Sequence, residues 1–88
     1  MKSQITITYN SGEQATYTAQ PPEYAKWEKA TGKSMTEING IWDILFIAYN
    51  AMKRESAGKP VKPFEIWMDT VADVETINQD PKATKPEA

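Results

Sequence analysis

Cysteine and histidine are both absent from this 88-residue sequence. Without them there is no disulfide framework, no zinc or haem ligand set, no Ser-His or Cys-His nucleophile, and no side chain that ordinarily titrates near neutral pH. Most enzyme mechanisms are removed at once, so a non-enzymatic protein with no cofactor is the expectation. Aliphatic residues are also scarce. One leucine, three valines and eight isoleucines leave much of the apolar mass to three Trp, four Tyr, two Phe and four Met, so the core must be made of aromatics and Met around isoleucines. Charge of one sign is lacking as well: ten basic residues against twelve acidic ones give a net charge of -2. That is too small for the disorder signature and of the wrong sign for a general nucleic-acid binder. The longest apolar run, Ile44 to Tyr49, falls far short of the roughly 20 residues that span a bilayer. Met1-Lys2-Ser3-Gln4 carries no apolar signal core, so a soluble intracellular protein with no membrane partner is expected. At this length the chain supports a single small domain with a modest core.

What is present reads as α+β. Ile5, Ile7 and Tyr9 alternate with Thr6 and Thr8, the pattern of a half-buried strand. Asn10-Ser11-Gly12-Glu13 supplies residues that tolerate positive φ, and Ala15, Tyr17 and Ala19 then alternate with Thr16 and Thr18, which predicts a hairpin. Two strands alone are marginal in water, so the face bearing Ile5, Ile7 and Tyr17 needs helices to cover it. Pro21-Pro22 suits the first turn of a helix, Tyr24, Trp27 and Thr31 follow at helical spacing, and Gly32 is placed as a stop.

Ser34-Met35-Thr36-Glu37 has the form of a capping box, and Ile38, Ile41, Leu45, Ala48 and Met52 then make a helical stripe. Asn39-Gly40 is a weak point of about 1 kcal/mol relative to Ala, which leaves the start free to separate as its own turn. A further set, Trp42, Phe46 and Tyr49, makes Ile41 to Tyr49 apolar nearly all round, so this helix is either central or half-covered by a partner. Pro63 opens a third helix, with Phe64, Trp67, Met68, Val71 and Val74 at i, i+3, i+4, i+7 and i+10. From Asn78 onward no large apolar residue appears, and two prolines do. The expectation is therefore one domain over 1–77, an N-terminal hairpin packed on about three helices, with a flexible tail over 78–88.

Three groups of residues invite a functional reading. Glu65, Asp69 and Asp73 would form one acidic row on the third helix; it is a solvated face or a contact for a basic partner, since like charges at i, i+4 oppose each other. Lys53, Arg54, Lys59 and Lys62 cluster around the loop before it, as a solvated helix end, a dock for an acidic protein, or a phosphate-binding patch without aromatic interleaving. The aromatic and Met residues are core by default. So many large rings in so small a fold nevertheless imply a leftover patch of the kind that binds proteins.

The order of features resembles a known family. Ile5-Thr6-Ile7-Thr8, the turn Ser11-Gly12-Glu13, Tyr24, Trp27-Glu28 and Thr31-Gly32 come first. Ile44 to Arg54, closing in Ala51-Met52-Lys53-Arg54, is followed by Phe64-Glu65-Ile66-Trp67, Val71 to Glu75 and Asp80-Pro81-Lys82-Ala83. Together they are similar to the short tail assembly chaperones of long-tailed bacteriophages, over most of the chain. The resemblance implies a chaperone that coats the helical, aggregation-prone tape measure protein in the host cytoplasm and is left out of the mature virion. It also implies a longer frameshifted form that recruits tail tube protein. Leu45, Phe46, Tyr49, Met52, Phe64 and Trp67 are then the pool from which the client surface is drawn. Residues 1–62 carry eight basic and six acidic side chains and 63–88 carry two and six. Lys53, Arg54, Lys59 and Lys62 of one copy could accordingly meet Glu65, Asp69 and Asp73 of the next, a head-to-tail contact that propagates rather than closes. The competing reading is a small nucleic-acid-binding regulator using the Lys53 to Lys62 patch.

Overall fold

In the computed structural model, which describes residues 3–78, three strands and three helices follow in the order β1 (Ser3–Tyr9), β2 (Gln14–Ala19), α1 (Pro21–Thr31), α2 (Ile41–Glu55), α3 (Phe64–Met68) and β3 (Val71–Asn78). The fold is α+β. β1 is the central strand of an antiparallel sheet of order β2-β1-β3. Its alternation sends Ile5 and Ile7 into the core and Thr6 and Thr8 to the opposite face. There Thr6 and Thr16 share a 2.9 Å hydroxyl contact and Gln14 Nε2 donates to Thr8 Oγ1 at 3.0 Å. The Asn10–Glu13 turn closes with Gly12 at φ 96° and a 2.8 Å bond from the Tyr9 amide to the Glu13 carbonyl.

α1 begins at the predicted Pro21-Pro22 and ends where Gly32, at φ 74°, donates its amide to the Glu28 carbonyl at 2.8 Å. The capping-box sequence at Ser34 does separate: Met35–Glu37 is a short 3₁₀ turn, and α2 starts only after Gly40, whose φ is 88°. Asp43 anchors that start, accepting from the Asn39 amide and from the Trp27 indole, each at 2.9 Å. The completely buried Trp27 therefore keeps its N–H paired. Trp27 packs with Ile5, Ile7, Ala19, Leu45, Ile47, Ala48, Tyr49 and Trp67 between one face of the sheet and the helices.

The third helix is shorter than the spacing predicts. It stops at Met68, where Thr70 turns back to bond the Trp67 carbonyl with both its amide, at 2.9 Å, and its hydroxyl, at 2.6 Å. Val71 to Asn78 is instead a strand paired with β1, so the hairpin becomes a three-stranded sheet. Spacing misleads here because of a bulge. Tyr9 opposes Val71 while Thr8 opposes Asp73, which leaves Ala72 as the extra residue. With one residue inserted, Val71 and Val74 fall on the same face of a strand and both pack on the core, although their separation of three imitates a helix. Asn78, expected to open the tail, is the last residue of β3 and pairs with Ser3. Residues 79–88 of the expected tail lie outside the described part. No helix among the described residues is long and apolar enough to cross a membrane.

Candidate functional site

α2 carries more apolar residues than one side of a helix can bury, and α3 packs against the surplus. The result is a ladder of rings running from the surface inward. Trp42 stacks on Phe46 with centroids 5.1 Å apart and planes 15° apart, and meets the edge of Phe64 at 5.7 Å and 90°. Phe46 and Phe64 touch edge to face at 5.5 Å. Below them Tyr49 lies 5.3 Å from Phe64 and 5.4 Å from Trp67, and Trp67 reaches Tyr9 on the sheet at 6.4 Å. Contacts of this geometry add about 0.5–1.5 kcal/mol each beyond area burial, so the outer rings are held in place rather than loose.

The six residues expected to form the client surface divide by burial. Leu45, Tyr49 and Trp67 are buried, and Phe46, Met52 and Phe64 are half-buried against the core. The most exposed large apolar side chains on the same two helices are others: Ile41 at 57%, Trp42 at 44% and Ile66 at 53%. Trp42 had a signal in the sequence, as the first member of the second apolar set on α2. Ile41 belongs to the predicted core stripe but is exposed as the first residue of α2, immediately after Gly40.

The charged groups are rearranged more strongly. Glu65 lies on α3, Asp69 caps it and Asp73 lies on β3, so the single acidic row along one helix does not exist. Nor is Arg54 free to join the lysines. It donates from Nε to Glu23 Oε2 at 2.8 Å, from Nη2 to Glu23 Oε1 at 2.9 Å, and from Nη2 to the Thr18 carbonyl at 3.0 Å. This is the one ion pair among the described residues. Burial alone would raise the pKa of the wholly enclosed Glu23, but the Arg54 guanidinium and the Gln20 amide, 2.9 Å away, hold it below the ordinary carboxylate range. Nothing in the sequence marked Glu23 beyond its place in the first turn after two prolines.

Lys53, Lys59 and Lys62 are exposed. Lys53 Nζ sits 5.6 Å from the centre of the Tyr49 ring, and the Tyr49 hydroxyl donates to the Lys62 carbonyl. The Lys53 charge thus lies against the inner, Tyr49 end of the ring ladder. Met52, Lys62, Trp67 and Asp69 come together elsewhere, in the lining of an open groove of about 530 Å3 beside the β1–β2 turn. Within it the Trp67 indole donates to the Tyr9 hydroxyl at 3.2 Å, and that hydroxyl contacts the Tyr17 hydroxyl at 2.9 Å. Burial, then the Tyr9 hydrogen bond, push the Tyr17 phenol well above its usual range, so the Tyr17 hydroxyl stays protonated. Among the described residues no group of three or more carboxylates is placed to hold a metal ion.

Comparison of the chain with protein-family models, with curated proteins and with solved structures gives no match.

Proposed function

We propose that this chain is a non-enzymatic tail assembly chaperone of a long-tailed bacteriophage, and that it holds the tape measure protein through the exposed apolar face of α2 and α3. The observation that carries the reading is the position of Trp42. It is a large ring, fixed by contact with Phe46 and Phe64, yet nearly half exposed and flanked on α2 by exposed Ile41. Exposed aromatics of this kind, held rigid, mark protein-binding surfaces. The natural occupant is an amphipathic helix, since a helical client offers apolar residues at i, i+3, i+4 and i+7. The order of motifs along the chain supports the same reading by its resemblance to these chaperones. Copies of the chain, a longer frameshifted form and the tail tube protein complete the proposal as further partners, in the host cytoplasm and outside the finished virion.

Nucleic-acid binding has less support. Arg54 is committed to Glu23, so the basic patch keeps three lysines spread over a helix end and a loop.

Co-expression with the tape measure protein tests the proposal. The wild-type chain is expected to keep that protein in the soluble fraction, and Trp42→Asp to lose this while its own thermal unfolding stays near wild type. Aggregation of the tape measure protein beside the wild-type chain, or equal protection by a folded Trp42→Asp variant, counts against it.

A further inference from the structure

The two edges of the sheet are finished differently. On β2 the backbone of Thr18 faces outward, and α2 closes it: Arg54 Nη2 donates to the Thr18 carbonyl at 3.0 Å, and Glu55 Oε2 accepts from the Thr18 amide at 3.1 Å. On β3 the Val74 amide is taken by the carboxylate of its neighbour Asp73 at 2.8 Å. That marks Val74, and by alternation Thr76, as residues whose backbone faces away from β1. Among the described residues no backbone group pairs with this edge.

The two faces beside this edge differ in chemistry. On the helix side a cavity of about 220 Å3 opens at Thr76 and is lined by Ile5, Ile38, Ile44, Ile47 and the Tyr24 ring. On the other side Asp73, Glu75 and Ile77 oppose Thr8, Thr6 and Gln4, and all three are exposed, Ile77 at 58%. A strand laid along β3 would alternate between these two environments, each side chain about 5 Å from its neighbour on β3. Every second residue would cover the isoleucine-lined cavity, and those between would face Asp73 and Glu75.

A second copy of this chain does not meet these requirements. Pairing β3 with its own twin sets the carboxylates of two chains on one face, which is unfavourable. The β2 edge of another copy is shut at Thr18.

We propose that the outer edge of β3 docks an extended segment of another protein, one that alternates apolar residues with Lys or Arg, as a fourth strand of the sheet. The Asp73 carboxylate that holds the Val74 amide in the free protein is replaced by a carbonyl of the incoming strand and turns to its cations. Backbone pairing supplies affinity, while the cavity and the two carboxylates select the alternation. This surface is separate from the ring ladder, so the inference stands independently of the chaperone reading.

The probe is a blocked ten-residue peptide alternating valine and lysine, added to the intact protein and followed by amide exchange. The Val74 and Thr76 amides are expected to gain protection, less so as salt rises. Thr76→Pro, which removes an outward N–H and no ladder bond, is expected to weaken binding by about tenfold or more. A valine–glutamate alternation, or the same valines and lysines in two blocks, is expected to protect neither amide. The proposal is overturned if the block or glutamate peptide protects them equally, if the alternating peptide binds with both amides unprotected, or if Thr76→Pro binds as well as wild type. Concentration-dependent protection without peptide, abolished by Thr76→Pro, would identify β3 as a contact between copies and overturn it too.

Discussion

Glu23 is the residue on which three elements converge. It sits in the first turn of α1, its partner Arg54 is in the last turn of α2, and Arg54 also holds the end of β2 through the Thr18 carbonyl. Removing one member of a buried pair leaves the other charge without compensation, at a cost of about 3–5 kcal/mol. Arg54 keeps 34% of its side chain exposed, so Arg54→Ala is expected at the low end of that range, about 3 kcal/mol, read as a shift in urea midpoint. The pH dependence follows from the direction of the Glu23 shift. A carboxyl whose native pKa lies below the unfolded value of about 4.3 stabilises the fold above that pH, and the contribution disappears as pH falls through the native value. Glu23→Gln is therefore expected to flatten the loss of stability between about pH 5 and pH 3 relative to wild type. Equal slopes for the two proteins would show that Glu23 is not held ionised by Arg54.

At the scale of elements, local signals carried far. The Thr-alternating hairpin, the Pro21-Pro22 start and Gly32 stop of α1, and the break at Gly40 are each dictated by one or two residues whose backbone preferences have a single structural outlet. β3 was hidden because its identity rests on pairing with a strand more than sixty residues earlier and on a bulge at Ala72 that disguises its period. The acidic row vanished with the helix that was to carry it. Exposure within α2 was equally illegible: Leu45, Tyr49 and Ile41 look alike in a nearly all-apolar run, and only the position of the sheet separates them. The bulge makes its own prediction. Deleting Ala72 removes the bulge and leaves Val71 two positions before Val74, still on the same face, so the loss measured by urea unfolding is expected to stay below the roughly 1–2 kcal/mol that a valine leaving the core would cost. A loss of that size or more would mean that the bulge itself is needed to keep both valines in the core.

For the molecule as a whole, the ring ladder joins what is exposed to what is stable. Trp67 and Tyr49 anchor it in the core, Phe64 and Phe46 transmit their positions, and Trp42 presents the result to solvent. A preorganised surface loses little side-chain entropy on binding, which suits the proposed role of holding a helical client. Because Trp27 and Trp67 are buried and Trp42 is not, iodide quenching of tryptophan fluorescence in the free protein reports Trp42. The same quenching in the purified complex with the tape measure protein shows whether Trp42 is the residue the client covers. Quenching is expected to fall to the level of a Trp42→Phe variant once the client is bound. A stable complex in which iodide still reaches Trp42 as freely as in the protein alone would contradict it.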